Sequence, residues 1–369
     1  MKQLSARQTA IILSVSIISL KFIIFPAIIT QGSQNNAYIT VIFSLLFDLL
    51  FFLIILGVMK KYPYLTFFEI LQNGLGKILS KIIIGVLAVY FFLKLIISIK
   101  EMHNYLYELL FESFSWYYFI FPTIALIVYI TFCGVRGFGR SLEFMFPILA
   151  VFTIITILMP LNTIEFDNIL PFLPDGLLPV LGSTVKTNFA FGDYFVLLIL
   201  MGKLKYEKKT TKKIVKWILI TDLFVVLFFV LFICVLGNLT VNESLAVNDI
   251  PLYANISSIN GRLEWASTIV WSIVLVFQSS ILMYCCSECV NYSLSFINKK
   301  INMVIICIAL YAILRYLYLS LAMALNFILS KPFVIFTISV QIALPIIFII
   351  AMFVGGKKNE KLNKQNQKQ

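Results

Sequence analysis

The feature that most constrains this chain is a series of apolar blocks, each about twenty residues long, which recur along almost the whole sequence. A helix needs about 20 apolar residues to cross the roughly 30 Å of hydrocarbon in a bilayer. Hydrophobic residues make up 61% of the 369 residues and charged residues 12%, whereas soluble domains are about 45–50% apolar and about 25% charged. The sequence therefore predicts an all-α polytopic membrane protein and excludes a water-soluble globular fold.

Ten apolar blocks are present, and each is bounded by charged or turn-forming residues. The predicted spans cover residues 9–30, 37–59, 78–99, 116–134, 142–161, 178–202, 214–237, 264–287, 303–325 and 333–354. Residues 1–356 are predicted to form one membrane domain, and the polar, basic tail at 357–369 is predicted to be disordered. The first block is longer than the apolar region of a secretory signal, so we expect it to be retained as a span.

The basic residues predict the orientation of the chain. Most of the 29 Lys and Arg residues lie in segments that fall on one side of the membrane, whereas the opposite loops are mainly acidic. Because short cytoplasmic loops are enriched in Lys and Arg, both termini are expected in the cytoplasm. This topology explains the net charge of +12 without a nucleic-acid partner. The lysine-rich segment 203–216 is either a topology anchor or a site for a partner or anionic lipid.

Ten spans divide into two halves of five, at residues 9–161 and 178–354. An odd number of spans in each half forces the second half to be inverted relative to the first. Many secondary transporters have this architecture, with a substrate site at mid-membrane between discontinuous helices at matching positions of the two repeats. In this chain the matching helices are the first and sixth spans.

Lys21 and Asp193 are charged residues inside those two spans, where a charge usually faces a cavity or a partner. Pro26 lacks an N–H donor and clashes with the carbonyl four residues earlier, which predicts a break beside Lys21. Gly192 weakens the sixth span next to Asp193. The predicted site therefore offers one ammonium and one carboxylate, which suits a zwitterion such as an amino acid.

Each of these two charges has a structural alternative. Lys21 could form an ion pair with Asp48 of the second span, and Asp193 could accept hydrogen bonds from nearby hydroxyls. Other charged residues inside spans include Lys94, near an outer end, and Asp222 and Arg315, which are more typical of structural roles.

The remaining ligand-binding candidates flank the two breaks or are uncharged polar groups at mid-depth. They are Ser19, Phe22, Tyr90, Phe191 and Gln278. The sequence contains no nucleotide-binding loop, zinc-binding helix or nucleophile elbow, and its six cysteines are expected to be buried thiols. We therefore predict no catalytic residue, no metal and no cofactor.

Several motifs resemble those of a known family. They are Ser5-Ala-Arg-Gln8, Ser19-Leu-Lys-Phe followed by Pro26, Arg136-Gly-Phe-Gly-Arg-Ser-Leu-Glu-Phe-Met-Phe-Pro147, Ile169-Leu-Pro-Phe-Leu-Pro-Asp-Gly176 and Phe191-Gly192. Their order and spacing, from Ser5 to about Val354, resemble the spore germination permeases. These are the B subunits of nutrient germinant receptors, within the amino acid/polyamine/organocation transporter superfamily.

The resemblance implies an inverted-repeat fold of the leucine-transporter type in the inner membrane of a spore. It also implies binding of a small nutrient such as an amino acid, and a germination signal relayed to a larger membrane A subunit and a lipoprotein C subunit. The alternative is an amino-acid secondary transporter of the same fold; neither function is enzymatic. Transporters of this superfamily often have a glycine-rich break in the first span, whereas this chain has Ser19-Leu20-Lys21, which favours a sensing role.

Overall fold

The structure is a computed structural model that describes residues 3–23, 25–109, 116–207, 209–241, 246–247, 250, 260–316 and 326–367. The described residues form the helices α1 (Ala6–Ser19), α2 (Phe25–Ser33), α3 (Ala37–Lys61), α4 (Phe67–Leu75), α5 (Lys77–Leu109), α6 (Trp116–Phe132), α7 (Gly134–Leu158), α8 (Leu177–Lys186), α9 (Tyr194–Leu200), α10 (Thr210–Leu236), α11 (Asn260–Ser293), α12 (Lys299–Tyr316), α13 (Lys331–Val354) and α14 (Gly356–Asn366). The predicted helical class is therefore confirmed.

Among the residues that the structure describes, six helical segments are long and apolar enough to cross a membrane. They are Phe25–Lys61, Lys77–Tyr107, Gly134–Thr163, Thr210–Leu236, Thr268–Ser293 and Lys331–Val354. Shorter apolar helices cover Ala6–Ser19, Tyr118–Phe132, Leu177–Lys186 and Asn188–Leu200. The predicted ninth span overlaps α12, but its residues 317–325 lie outside the described part of the chain. The total of ten spans and the orientation of the termini stay predictions.

The first predicted span is two helices rather than one. Helix α1 ends at Ser19, and residues 20–23 form a turn before α2 begins at Phe25. Ser5 begins α1 with a capping box, because its hydroxyl accepts from the Gln8 N–H and the Gln8 side chain accepts from the Ser5 N–H. Pro26 lies in the first turn of α2, where the missing N–H breaks no helical hydrogen bond.

The sixth predicted span is broken in the same way. Helix α8 ends at Lys186, a short 3₁₀ turn follows at Asn188–Ala190, and α9 begins at Tyr194. Gly192 lies in this connection with φ at +82°, a left-handed conformation that side chains other than glycine rarely adopt.

One half of each broken helix, α1 and α9, lies at the centre of the bundle. Every residue of α9 is buried, and so is most of α1. Their ends are also joined directly, because the Leu4 N–H donates to the Lys203 carbonyl at 2.8 Å and the Lys205 N–H donates to the Leu4 carbonyl at 2.9 Å. Helices α5 and α11 pack beside them, joined by the Ser98 and Ser279 hydroxyls at 2.9 Å.

The expectation of a disordered tail is wrong for residues 357–366, which belong to α14 and pack against α4. The Asn73 side-chain amide donates to Asn359 at 2.9 Å, and the Tyr64 N–H donates to Asn363 Oδ1 at 3.1 Å. Asn366 returns a hydrogen bond to the Tyr64 carbonyl at 3.2 Å. Asn359, Asn363 and Asn366 lie on one face of α14. Their hydrogen bonds attach the tail to the bundle, although the tail has little apolar surface to bury.

Candidate functional site

The breaks in the two helices bring Lys21 and Asp193 together. The Lys21 Nζ atom lies 2.5 Å from Asp193 Oδ2, and both side chains are buried. The same ammonium donates to the Ile17 carbonyl at 2.9 Å, one of the acceptors that the end of α1 leaves without a helical partner. It also lies 4.9 Å from the centre of the Phe191 ring, a cation–π distance. Lys21 thus joins the end of α1 to the connection that precedes α9.

A second lysine reaches the same carboxylate from α5. The Lys94 Nζ atom lies 3.0 Å from Asp193 Oδ1 and donates to the Phe191 carbonyl at 2.7 Å. The Tyr90 hydroxyl, one turn earlier on the same helix, donates to that carbonyl at 3.2 Å. Each oxygen of the Asp193 carboxylate therefore faces one ammonium.

The Asp48 side chain of α3 accepts hydrogen bonds from the backbone and does not pair with a lysine. Its two carboxylate oxygens accept from the Gly192 N–H at 3.0 and 2.9 Å, and Oδ2 lies 3.4 Å from the Asp193 nitrogen. These amides precede α9 and have no helical acceptor of their own. The Asp48 oxygens satisfy these amides at the N-terminal end of α9, where the helix dipole favours negative charge.

Gly192 is surrounded so closely that a side chain does not fit there. A Cβ atom at this position would lie 2.6 Å from the Tyr90 hydroxyl and 2.7 Å from Gln341 Nε2. That amide nitrogen donates to the Tyr90 oxygen at 3.0 Å and to the Asn188 carbonyl at 2.9 Å. The connection is therefore held by side chains from α3, α5 and α13.

We call Lys21, Asp48, Lys94 and Asp193 the four-charge cluster. Its two ammonium groups and two carboxylates balance when all four are ionised. Buried charges are tolerated when they are paired and hydrogen-bonded, whereas removing one partner leaves an uncompensated charge. The cluster therefore fixes the relative position of the two broken helices electrostatically.

The structure brings Lys21, Tyr90, Phe191, Gly192 and Asp193 into one contact network, as the geometry above describes. The other three candidates lie outside that network. Ser19 makes a 3.5 Å hydrogen bond within α1, and Phe22 stacks on Phe228 with ring centres 3.9 Å apart. Gln278 of α11 is fully buried, and neither polar atom of its side chain has a hydrogen-bond partner among the described residues.

The alternative ion pair between Lys21 and Asp48 is not the one that forms. Lys21 contacts Asp193, while Asp48 is occupied by backbone N–H groups. Neither Asp222 nor Arg315 has an ion pair or hydrogen bond within the part of the chain that the structure describes. In the same part of the chain, no three His, Cys, Asp or Glu side chains gather as a metal site.

Two members of the network, Lys94 and Gln341, are not among the ligand-binding candidates that the sequence predicts. Lys94 stands four residues after Tyr90, and residues at that spacing share one face of a helix. Gln341 is an amide inside an apolar span, the same signal that singled out Gln278. Both were detectable as polar groups at membrane depth.

This chain is similar in sequence to a known protein family and to curated proteins. Residues 3–328 match the family described as "Spore germination protein". Spore germination protein YndE from Bacillus subtilis (strain 168) is 25% identical over 214 residues, which cover 58% of this chain and 59% of that protein. Spore germination protein A2 from the same organism is 23% identical over 253 residues, which cover 69% of this chain and 62% of that protein.

The chain thus spans about six tenths of the length of these two curated relatives. The match to the family covers most of the chain, including both broken helices and all four members of the four-charge cluster. Together with the long apolar helices, it identifies an integral membrane protein. The chain belongs to the spore germination protein family.

Proposed function

We propose that this chain is the nutrient-binding B subunit of a germinant receptor and that it binds a small zwitterion, such as an amino acid, between its two broken helices. The observation that carries the proposal is the buried ion pair between Lys21 and Asp193. A zwitterion presents the same two charges. Its carboxylate can replace Asp193 at the Lys21 ammonium, and its ammonium can replace Lys21 at Asp193.

This exchange keeps every buried charge paired, which makes it energetically feasible at membrane depth. Lys94 stays on the second oxygen of Asp193 throughout. Ser19 and Phe22 flank the first break, and Gln278 offers two buried polar atoms without partners among the described residues. We propose that these three residues complete the ligand pocket.

Ligand binding would separate the end of α1 from the beginning of α9. A sensor needs only a difference in ligand affinity between two conformations to shift their populations. We propose that the shift is passed to a membrane A subunit and a lipoprotein C subunit in the spore inner membrane. The partners and the location follow from the family resemblance.

The proposed membrane arrangement has ten spans in two inverted halves, 9–161 and 178–354, within one domain at 1–356, with both termini in the cytoplasm. In this arrangement the two breaks occupy matching positions near mid-membrane, as in many secondary transporters. The paired breaks therefore also support a second candidate, an amino-acid transporter. A transporter must complete alternating access, whereas the fixed ammonium of Lys21 takes the place of a mobile coupling cation and favours sensing.

The test compares germination with uptake in spores that lack this gene, across amino acids, sugars and nucleosides. We expect loss of the response to one nutrient with unchanged uptake. Loss of uptake with normal germination would identify a transporter instead. Lys21→Met and Asp193→Asn should fail to restore the response although the protein reaches the membrane, whereas the control Asp222→Asn should restore it. Normal nutrient dependence in both cluster variants would move the ligand site elsewhere.

A further inference from the structure

A groove of about 250 Å³ enters the bundle between α1, α7, α10 and α11. Its lining includes Ile154 of α7 and Ile220 of α10, which are 47% and 51% exposed, and it reaches Ile18 of α1. The hydroxyls that line it are satisfied, because Thr153 and Thr221 donate to carbonyls of their own helices at 2.6 and 2.8 Å. In a chain that spans a membrane, the exposed rim faces hydrocarbon, so the groove suits an apolar occupant.

The beginning of α10 places positive charge at one end of this groove. Lys213 stands one turn before Trp217, which lines the groove, and residues four apart share one face of a helix. Lys209, Lys212 and Lys216 are exposed as well, and none of the four lysines has an ion-pair partner in the part of the chain that the structure describes. The first turn of α10 contains no acidic residue, so the positive end of the helix dipole adds to this charge.

The lysines and the groove together cover about half the thickness of a bilayer. Phe224 is the last residue of α10 that lines the groove, and about 16 Å of helix separates it from Lys213. The hydrocarbon core of a bilayer is about 30 Å thick, so each leaflet contributes about 15 Å. An apolar cavity of about 150 Å³ holds one benzene molecule, so this groove has room for a longer hydrocarbon segment.

We propose that the groove holds one acyl chain of an anionic phospholipid, whose phosphate lies at the lysines that begin α10. The chain would lie along Trp217, Ile220 and Phe224. The headgroup would neutralise the lysines and the positive end of the helix, in the way that basic clusters beside a membrane span attract anionic lipid. The lysine-rich segment 203–216 would then bind lipid as well as set the topology.

The groove also reaches the first broken helix. Trp271 of α11 lines the groove, and its ring centre lies 5.4 Å from the ring centre of Phe22, in the turn that ends α1. The Phe224 ring lies 5.9 Å from the same Phe22 ring. An acyl chain in the groove would therefore rest against the helix that leads to Lys21 without entering the four-charge cluster. The lipid site does not depend on the proposed nutrient site, and its test needs no nutrient.

The test uses the full chain in phosphatidylcholine nanodiscs that contain a trace of a phospholipid with a photoreactive diazirine in the middle of one acyl chain. Phosphatidylglycerol and phosphatidylcholine probes with identical chains are compared, and mass spectrometry locates the label after illumination. We expect the anionic probe to label residues 146–154 and 217–224 at least about tenfold more than the zwitterionic probe, because several lysines attract its headgroup.

Two matched pairs of variants separate the groove from the charge. Ile154→Trp narrows the groove and should reduce that label at least about threefold, whereas Ile155→Trp should not, because Ile155 is 39% exposed and does not line the groove. Lys213→Gln should lower the preference for the anionic probe about threefold to fivefold. Lys300→Gln removes an exposed lysine at the beginning of another apolar helix, α12, and should leave the preference unchanged.

Equal labelling by the two probes would overturn the proposal and leave the lysines as a topology anchor. So would equal labelling of the Ile154→Trp and Ile155→Trp variants, or equal effects of Lys213→Gln and Lys300→Gln. Label spread evenly over the outer surfaces of α3 and α10 would indicate lipid exposure only and would also overturn it.

Discussion

The Lys21 Nζ atom lies 2.5 Å from Asp193 Oδ2, although 172 positions of sequence separate the two residues. Each residue belongs to a connection between two helical segments, so the ion pair joins two interruptions of regular structure. Lys94 approaches the other carboxylate oxygen at 3.0 Å. One carboxylate thus holds two ammonium groups, and this asymmetry has measurable consequences.

Removing Asp193 should destabilise the protein more than removing either lysine. Asp193→Asn takes the directly bonded carboxylate from two buried ammonium groups and leaves only the more distant Asp48, whereas Lys21→Met or Lys94→Met leaves the Asp193 carboxylate with one ammonium. Breaking a buried pair by removing one partner costs about 3–5 kcal/mol. Thermal unfolding in detergent should rank Asp193→Asn lowest in stability. The double variant Lys21→Met/Asp193→Asn should lose less than the sum of its single changes, and simple additivity would refute direct coupling.

Asp48 should matter through the backbone N–H groups that it accepts. Asp48→Leu removes both acceptor oxygens and leaves the Gly192 N–H without its partner, and hydrogen bonds to charged groups contribute about 1.5–3 kcal/mol. Asp48→Asn keeps one acceptor oxygen and should lose less stability than Asp48→Leu. Asp222→Leu is the control, a carboxylate in another long apolar helix that forms no hydrogen bond or ion pair with the described residues. Equal losses in stability for the Asp48→Leu and Asp222→Leu variants would contradict this role of Asp48.

Gly192→Ala should destabilise the connection before α9. The left-handed backbone costs a side chain about 1–2 kcal/mol, and the new Cβ would lie 2.6 Å from the Tyr90 hydroxyl. We expect a total loss of at least about 2 kcal/mol. The control is Gly182→Ala in α8, where a Cβ meets nothing within 4 Å and alanine favours the helix. Comparable melting temperatures for the two variants would show that Gly192 is not needed.

Gly74→Ala should loosen the contact between α4 and α13. A Cβ at residue 74 would lie 2.5 Å from the Ala351 Cα and would clash with the Ala351 carbonyl oxygen, so the backbone must move. Overpacking of this kind costs about 1–3 kcal/mol or more. Because α14 docks on α4, trypsin should also cleave sooner at Lys361 and Lys364. Gly57→Ala, with nothing within 4 Å of the new Cβ, should leave both the stability and the cleavage rate unchanged.

The positions of the helix breaks could be predicted because their causes are local. Pro26 disrupts a helix through its own ring and missing N–H, and Gly192 permits a backbone conformation that other residues resist. The burial of Lys21 and Asp193 also followed from charge inside an apolar block. The helical class and the approximate limits of the long helices could also be predicted, because both depend on the length of each apolar run, which is again a local property.

The carboxylate that pairs with Lys21 could not be predicted from local properties. Nothing in the sequence near Lys21 distinguishes Asp48 from Asp193, because the distances between spans depend on how the whole bundle packs. In the structure, the backbone N–H groups before α9 occupy Asp48, so Asp193 is left to the two lysines.

The structure of the C-terminal tail, residues 357–369, also could not be predicted from local properties. Its composition predicts disorder, because it has little apolar surface to bury. Only the tertiary structure supplies the Tyr64 backbone and the Asn73 amide that its asparagines bind. By itself, the sequence determined the helical membrane class and the two interruptions, since hydrophobic length and backbone geometry are carried by neighbouring residues. The tertiary structure decided which charges and amides meet, since those contacts join residues that are distant along the chain.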